Sequence, residues 1–448
     1  MISAGVALCC LAVLPVQRPD SERGPAALVE EGFRDLCAEG FSAWRGRPHL
    51  APGSEGTWTP EERERRQRAW DEALREHWTW EDGVFVSDGA GPYLTTRDAF
   101  GDVDLRLEWR MEPGADGGIY LRATPQVQLW DPADPTQRDA GNAWGSGGLW
   151  NDRVHPRFPL ENRDRPAGEW NEMRIVQVGE RVAVWLNGGL VVAWAPLENY
   201  WDRSRPLPPS GPIQFQTHGG RIEFRRVRVR ELSADEANAV LRAIPPETAF
   251  GRGRPAAGGD TFHPLLVGRD GEGWAGPLAG WEFPEDGMVR CRAGQGGTIY
   301  AEKVLRDFQV RLEFLLPPGG NNGLAIRYPG EGDTAYVGMC ELQVLDDSHE
   351  RYAGLHPYQY HGSAYGMVPS LRGYQRPVGE WNFQEVTVQG GRVRVELNGT
   401  VILDADLWEI EETADGKEHP GRMRTEGFFG FAGHGDPVAF RNVEVREL

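Results

Sequence analysis

The chain repeats itself. "PAGEWN" at 166–171 returns as "PVGEWN" at 377–382, "VWLNGGLVV" at 184–192 as "VELNGTVIL" at 395–403, and "THGGRIEFRRVRVREL" at 217–232 as "GHGDPVAFRNVEVREL" at 433–448. The offset between matching residues is 211 from Trp170 to Trp381, 211 from Asn187 to Asn398 and 216 from His218 to His434. An offset that large and steady marks duplication of a whole domain, because solenoid units are only about 20–50 residues long. The first copy is placed at 31–232, the second at 259–448, and the residues between them, 233–258, are read as a linker. The chain's 448 residues leave each copy long enough to bury a core of its own.

Inside each copy the apolar residues alternate. "DVDLRLEWRM" (102–111) and "DFQVRLEFLL" (307–316) have the period of two that a half-buried strand requires. Asn-Gly pairs at 187–188 and 398–399 predict tight hairpin turns. Together with 58 Gly and 33 Pro, these patterns predict an all-β chain of two tandem antiparallel sandwiches. A few short helices are expected in the first copy and the linker. One spans 59–78, with Thr59 as N-cap, Pro60 in the first turn and Glu62 closing a capping box; the other spans 233–244, with Ser233 and Glu236 in the same roles.

Charge narrows the partners. Asp and Glu outnumber Lys and Arg by 67 to 48, a net charge of -19 that opposes a phosphate backbone, so no nucleic acid is expected. The 17 tryptophans suit sugar faces, although packing inside a sandwich is their more frequent use. Residues 1–17 have the apolar length of a signal peptide but no preceding Lys or Arg, and export to the periplasm or exterior is expected. A lipid anchor at Cys9 or Cys10 is not expected, since Leu8 stands where a small residue is wanted. Cys37, Cys291 and Cys340 show neither a disulfide framework nor a zinc spacing, and no other segment could span a membrane.

"CELQVLDD" (340–347) carries the densest chemistry. Glu341 and Gln343, two apart, share one strand face, and Asp346 joins it if a bulge adds a residue. The matching run in the first copy is "PQVQLWDP", where Gln126 replaces the acid while Gln128 and Asp131 match Gln343 and Asp346. In "PIQFQTHGG", Gln214, Gln216 and His218 alternate onto one face and leave Ile213 and Phe215 for the core.

With "DGGIYLRATPQVQLWDP", "GSGGLW", "AGEWNEMRI", "LENYWDR" and "GPIQFQTHGG" in the first copy, and "NNGLAIRY", "CELQVLDD", "YQYHGSAYG", "VGEWN" and "GFFGFAGHG" in the second, the chain resembles the 3-keto-disaccharide hydrolase family. The resemblance implies a concanavalin A-like jelly roll in each copy, a carbohydrate substrate, and cleavage of glycosides whose sugar carries a ketone at C3. A C3 ketone acidifies the C2 hydrogen, so a base can remove it while the C1 substituent leaves. Such a site needs a base, donors for the enolate, and an acid or a divalent metal ion at the leaving oxygen.

On this resemblance Glu341 is the candidate base or metal ligand, or else a solvated strand acid. Asp346 is a candidate acid or metal ligand, or the opening of a turn. Arg327 and its counterpart Arg122 offer donors to a sugar oxygen, or a rim ion pair. His361 and Tyr365 lie in a Gly-bearing loop, and His434 stands between two glycines, where a ligand can approach or a turn can form. In the first copy Asp131 or His218 would have to replace the missing acid, with Gln126, Gln128, Gln214 and Gln216 lining a sugar groove. Trp381 and Asn382 read as core and turn. Two other functions are compatible with such a sandwich: a non-catalytic lectin, and a retaining glucanase with two carboxyl groups roughly 5–5.5 Å apart. The glucanase ranks last, because the first copy lacks one of those carboxyls.

Overall fold

The computed structural model describes residues 31–245, 261–266, 268–285 and 287–448; the expected signal peptide lies outside them. Each copy is a sandwich of one eight-stranded and one five-stranded sheet, and every strand pairing quoted below is antiparallel. In the first copy the eight-stranded sheet runs, in spatial order, Gly189–Pro196, Arg181–Leu186, Asn171–Val178, Val103–Met111, Ile222–Glu231, Val84–Ser87 and Trp78–Glu81, with Arg34–Asp35 beside Ile222–Glu231. Its five-stranded partner runs Trp44–Arg47, Tyr93–Thr96, Gln214–Phe215, Asp116–Leu121 and Thr124–Trp130. The second copy repeats this plan, with a five-stranded sheet in the order Trp274–Ala275, Gly297–Leu305, Gly427–Gly433, Asn321–Tyr328 and Cys340–Leu345.

The duplication extends to the core. Phe215 of one sheet stacks on Phe224 of the other at 4.1 Å, and Phe431 stacks on Phe440 at 4.0 Å in the second copy. A tryptophan packs on each inner-sheet ring, Trp44 on Phe215 and Trp274 on Phe431. Each of these Phe side chains is fully buried, worth about 1.5–3 kcal/mol. The Asn-Gly turns form as expected: Asn187 and Gly188 have φ of 48° and 80°, and Asn398 and Gly399 have 50° and 79°.

Helix α1 (Pro60–His77) starts at Thr59, whose hydroxyl accepts the Glu62 N–H at 3.2 Å. The reciprocal half of the expected capping box is replaced, since the Glu62 carboxylate binds Arg66 one turn later. Helix α2 (Ala234–Ala243) carries the full box between Ser233 and Glu236. It lies in a seam between the two sandwiches, where Ala237, Val240 and Leu241 pack with Val176, Val178 and Trp194 of the first copy and Phe383 of the second. Val176 and Val178 alternate with Ile175, which belongs to the first core, so the seam uses the outer face of the eight-stranded sheet. Phe383 likewise faces away from the core-facing Val386 and Val388. The two five-stranded sheets therefore lie on the far sides of the molecule.

One ion pair crosses this seam in full burial. Arg181 Nη2 and Glu396 Oε2 meet at 2.6 Å with side-chain exposures of 3% and 10%. Burial raises the Glu396 pKa, but the charge and hydrogen bonds of Arg181 outweigh it and hold the carboxylate below the usual range. Removing one member of such a pair strands the other, at a cost of about 3–5 kcal/mol. Glu396→Gln should lower the calorimetric melting midpoint and separate the transitions of the two sandwiches. A single unshifted transition would show that the pair does not couple them.

Candidate functional site

In the second copy the candidate residues come from three neighbouring strands. Cys340–Leu345 forms the edge, Asn321–Tyr328 the middle, and Gly427–Gly433 the third strand, with His434 directly after its end. Glu341 is buried, and its side chain runs across the middle strand above Gly323. A Cβ there would stand 2.1 Å from Glu341 Oε1, so only glycine leaves the path open. The carboxylate thereby reaches His434 Nε2 at 3.1 Å. The His434 ring is 44% exposed and Glu341 6%, so the imidazole is the accessible end of the pair. The hydrogen bond to Glu341 raises the His434 pKa, against the opposing effect of burial. Gln343 donates to Asn321 Oδ1 at 2.6 Å. The Tyr365 N–H donates to the Glu341 carbonyl, which sets that ring beside the same strand, and its hydroxyl accepts from Gln359.

The first copy has the same framework with different charges. Gln126 lies over Gly118, where a Cβ would sit 2.8 Å from its amide carbon, and donates to Gln128. Gln128 donates to Asp116 Oδ1 at 2.6 Å, and Asp116 Oδ2 meets His218 Nδ1 at 3.0 Å. That contact raises the His218 pKa. These residues line a pocket of about 520 Å3 whose other walls include His49, Tyr93, Tyr120, Trp150, Tyr200 and Gln216. His49 sits among rings, 5.7 Å from both Tyr120 and Tyr200 and 5.8 Å from Tyr93. Gln216 donates to the Tyr120 hydroxyl at 3.3 Å, whereas Gln214 is turned to Thr95 and is not among the lining residues.

Several expected site residues are used elsewhere. Asp346 accepts the N–H groups of Gly319 and Ser348 and the Ser348 hydroxyl; these bonds hold its pKa low despite burial and make it a turn former. Asp131 does the same for Gly114 and Ala133. Arg327 is 1% exposed and gives its guanidinium to the carbonyls of Arg306, Gly390 and Arg424 and to Asp307, which leaves no donor facing a sugar. Arg122 binds the Gly101 and Pro208 carbonyls and Asp102 in the same way. His361 is not a loop ligand: it is 1% exposed, lies 4.9 Å from the Phe314 ring, and burial pushes its pKa down to about 3. Asn382 fills the turn role, its Oδ1 accepting the Arg376 N–H and the Asn398 amide, and Trp381 packs under Arg441.

Sequence reasoning missed Asp116 and the ring wall around His49. The first had a signal, since "DGGIYLR" aligned on "NNGLAIR" puts Asp116 opposite Asn321. The wall had none, because its members come from five separate segments.

Among the described residues no three His, Cys, Asp or Glu side chains converge as a metal-binding group. One imidazole and one carboxylate per copy do not fill the coordination sphere of zinc or calcium, so the residues present do not fit a protein-held ion. Among the same residues no helix is long and apolar enough to cross a membrane.

Because His434 carries a raised pKa, its pairing with Glu341 stabilises the fold fully below the ordinary histidine value of about 6.5 and less as pH rises through the folded value. Gly323→Ala should push the Glu341 carboxylate aside. The His434 midpoint, followed by NMR titration, should then fall below that of the parent; an unchanged midpoint would mean that the carboxylate reaches the ring by another path.

A 3-keto-disaccharide hydrolase of Bacteroides thetaiotaomicron is 26% identical over 238 residues, covering 42% of this chain and 79% of the relative. Among solved structures, a proposed glycosyl hydrolase from Parabacteroides distasonis has 25% identity, covers 42% of this chain and 100% of its own, and has a TM-score of 0.38. The carbohydrate-binding module CBM66 of Bacillus subtilis has 16% identity, the same two coverages and a TM-score of 0.27. The family model of the 3-keto-alpha-glucoside-1,2-lyase-like domain matches residues 51–230 and again 261–446, and the chain belongs to that family.

Proposed function

We propose that this protein cleaves glycosides whose sugar is oxidised to a ketone at C3, and that His434, aimed and made more basic by Glu341, moves the proton. The observation that carries the reading is the accessible imidazole on a buried carboxylate at the open face of a sandwich from this family. The family supports glycoside cleavage in general. The ketone requirement is the finer part of the proposal.

The chemistry needs one proton to be taken and returned. Neutral imidazole removes the C2 hydrogen as H+, and the electron pair flows into the C3 carbonyl to give an enolate. The enolate reforms the ketone as C1=C2 forms, the C1–O bond breaks, and the imidazolium protonates the departing oxygen. Water then adds across C1=C2, so the net result is hydrolysis. Glu341 raises the basicity of the ring and stabilises the imidazolium that forms. A retaining-glucanase mechanism is disfavoured, because Asp346, the second carboxyl it would use, is committed to its turn.

The test compares matched native and 3-keto glycosides, with and without chelator, by release of the aglycone. Cleavage of the keto substrate alone is expected, with chelator leaving the rate unchanged. Glu341→Gln should reduce the turnover that depends on His434 by about 10²–10⁴-fold, the usual range for general acid–base work, and shift the pH profile to lower pH. Cleavage of the native sugar would overturn the ketone requirement. Binding without cleavage of either would leave a lectin.

A further inference from the structure

The two copies carry the same histidine but exchange its acid. Strand register makes the positions equivalent: Gly118 pairs with Gln128 in the first copy and Gly323 with Gln343 in the second. Asp116 and Asn321 each stand two residues before that glycine, and Gln126 and Glu341 each stand two before that glutamine. The first copy therefore has Asp and Gln where the second has Asn and Glu. At the exchanged positions each copy keeps one carboxylate and one amide beside the imidazole. The bond between the conserved glutamine and the middle strand is also preserved, at 2.6 Å from Gln128 to Asp116 and 2.6 Å from Gln343 to Asn321.

A copy that had merely lost its acid would leave His218 without a charge partner. Instead Asp116 meets the ring from the middle strand at Nδ1, as Glu341 meets His434 from the edge strand at Nε2. Gln126 lies over Gly118 as Glu341 lies over Gly323, so an acid at 126 has the same route to the histidine.

We propose that the first copy is a second active centre, in which Asp116 holds His218 in place of an acid at position 126. This rests on the function proposed above and adds a site to it. The two centres differ in their walls. Tyr120 and Gln216 of the first pocket fall where the second copy has Ala325 and Ala432, since Phe215 pairs with Ile119 as Phe431 pairs with Leu324. The first centre thus clamps a compact keto-sugar between rings, and the second takes a glycoside with a bulkier substituent at that corner.

The test moves the acid. In a full-length chain whose second centre is silenced by His434→Gln, the variants Asp116→Asn and Asp116→Asn/Gln126→Glu are compared by turnover and by NMR titration of His218. The titratable groups lining the pocket are His49, Tyr93, Asp116, Tyr120, Tyr200 and His218, so the titration is assigned ring by ring. Asp116→Asn should lower the His218 midpoint and cut turnover at least tenfold, and the double exchange should restore both to within a few-fold of the parent. A double exchange that behaves like Asp116→Asn overturns the proposal. So does complete loss of turnover in His434→Gln alone when the unmodified chain is active. If the unmodified chain cleaves no keto-glycoside, the reaction assigned above fails, and the His218 midpoint still decides whether the carboxylates are interchangeable. Recovery in the double exchange supports the exchange, and no recovery overturns it.

Discussion

A missing Cβ organises each candidate site. In an antiparallel sheet the side chains of neighbouring strands stand beside one another, and a middle strand normally walls off its two neighbours. At Gly323 that wall is absent, so the Glu341 side chain lies flat across the strand and ends against an imidazole carried by the strand beyond. The crossing also buries the carboxylate to 6% exposure, which strengthens its pull on the histidine. Gly118 keeps the same lane open in the first copy, although an amide now occupies it. The pocket chemistry depends on a residue with no side chain.

The arrangement of the two sandwiches gives these sites independence. The seam consumes the outer faces of both eight-stranded sheets and helix α2, and its buried Arg181–Glu396 pair penalises sliding or separation. The five-stranded sheets stay clear of the seam. The cavity around the first dyad is lined by residues of the first copy alone, so its walls can diverge while the shared interface stays fixed. Tyr120 against Ala325 is such a divergence, on a strand whose core-facing Ile119 and Leu324 remain interchangeable.

Much of the fold was legible because it follows from local period and repetition. Alternating strands, Asn-Gly turns and helix caps are short-range signals, and duplication supplied each of them twice. Site residues were less legible, because residue type does not reveal where a side chain's hydrogen bonds go. Arg327 and Asp346 look like ligand groups in sequence, yet backbone groups satisfy both. His361 sits in a glycine-bearing loop and still points into the core, at a position where the first copy has the buried Ser146. Asp116 was overlooked for the opposite reason. Its signal lay only in the alignment of the two copies, and its role follows from the register with Gln214–Phe215, which brings it to His218.

The charge count of the dyad favours a one-proton reaction. A glycosidase that displaces the substituent directly needs two carboxyl groups on opposite sides of the sugar, one to attack and one to protonate. Among the described residues each histidine is hydrogen-bonded to a single carboxylate, and in the second copy Asp333 and Asp436 act on the ring only through their charge. A carboxylate fixed behind that ring raises its affinity for a proton without competing for the same position on the sugar. Elimination beside a ketone uses such a group twice, first to accept the C2 proton and then to give it to the leaving oxygen, and the carbonyl already present in the substrate stores the electron pair in between. The exchange of Asp116 for Glu341 preserves this balance. A change at one position alone would leave either two acids competing for the histidine or none.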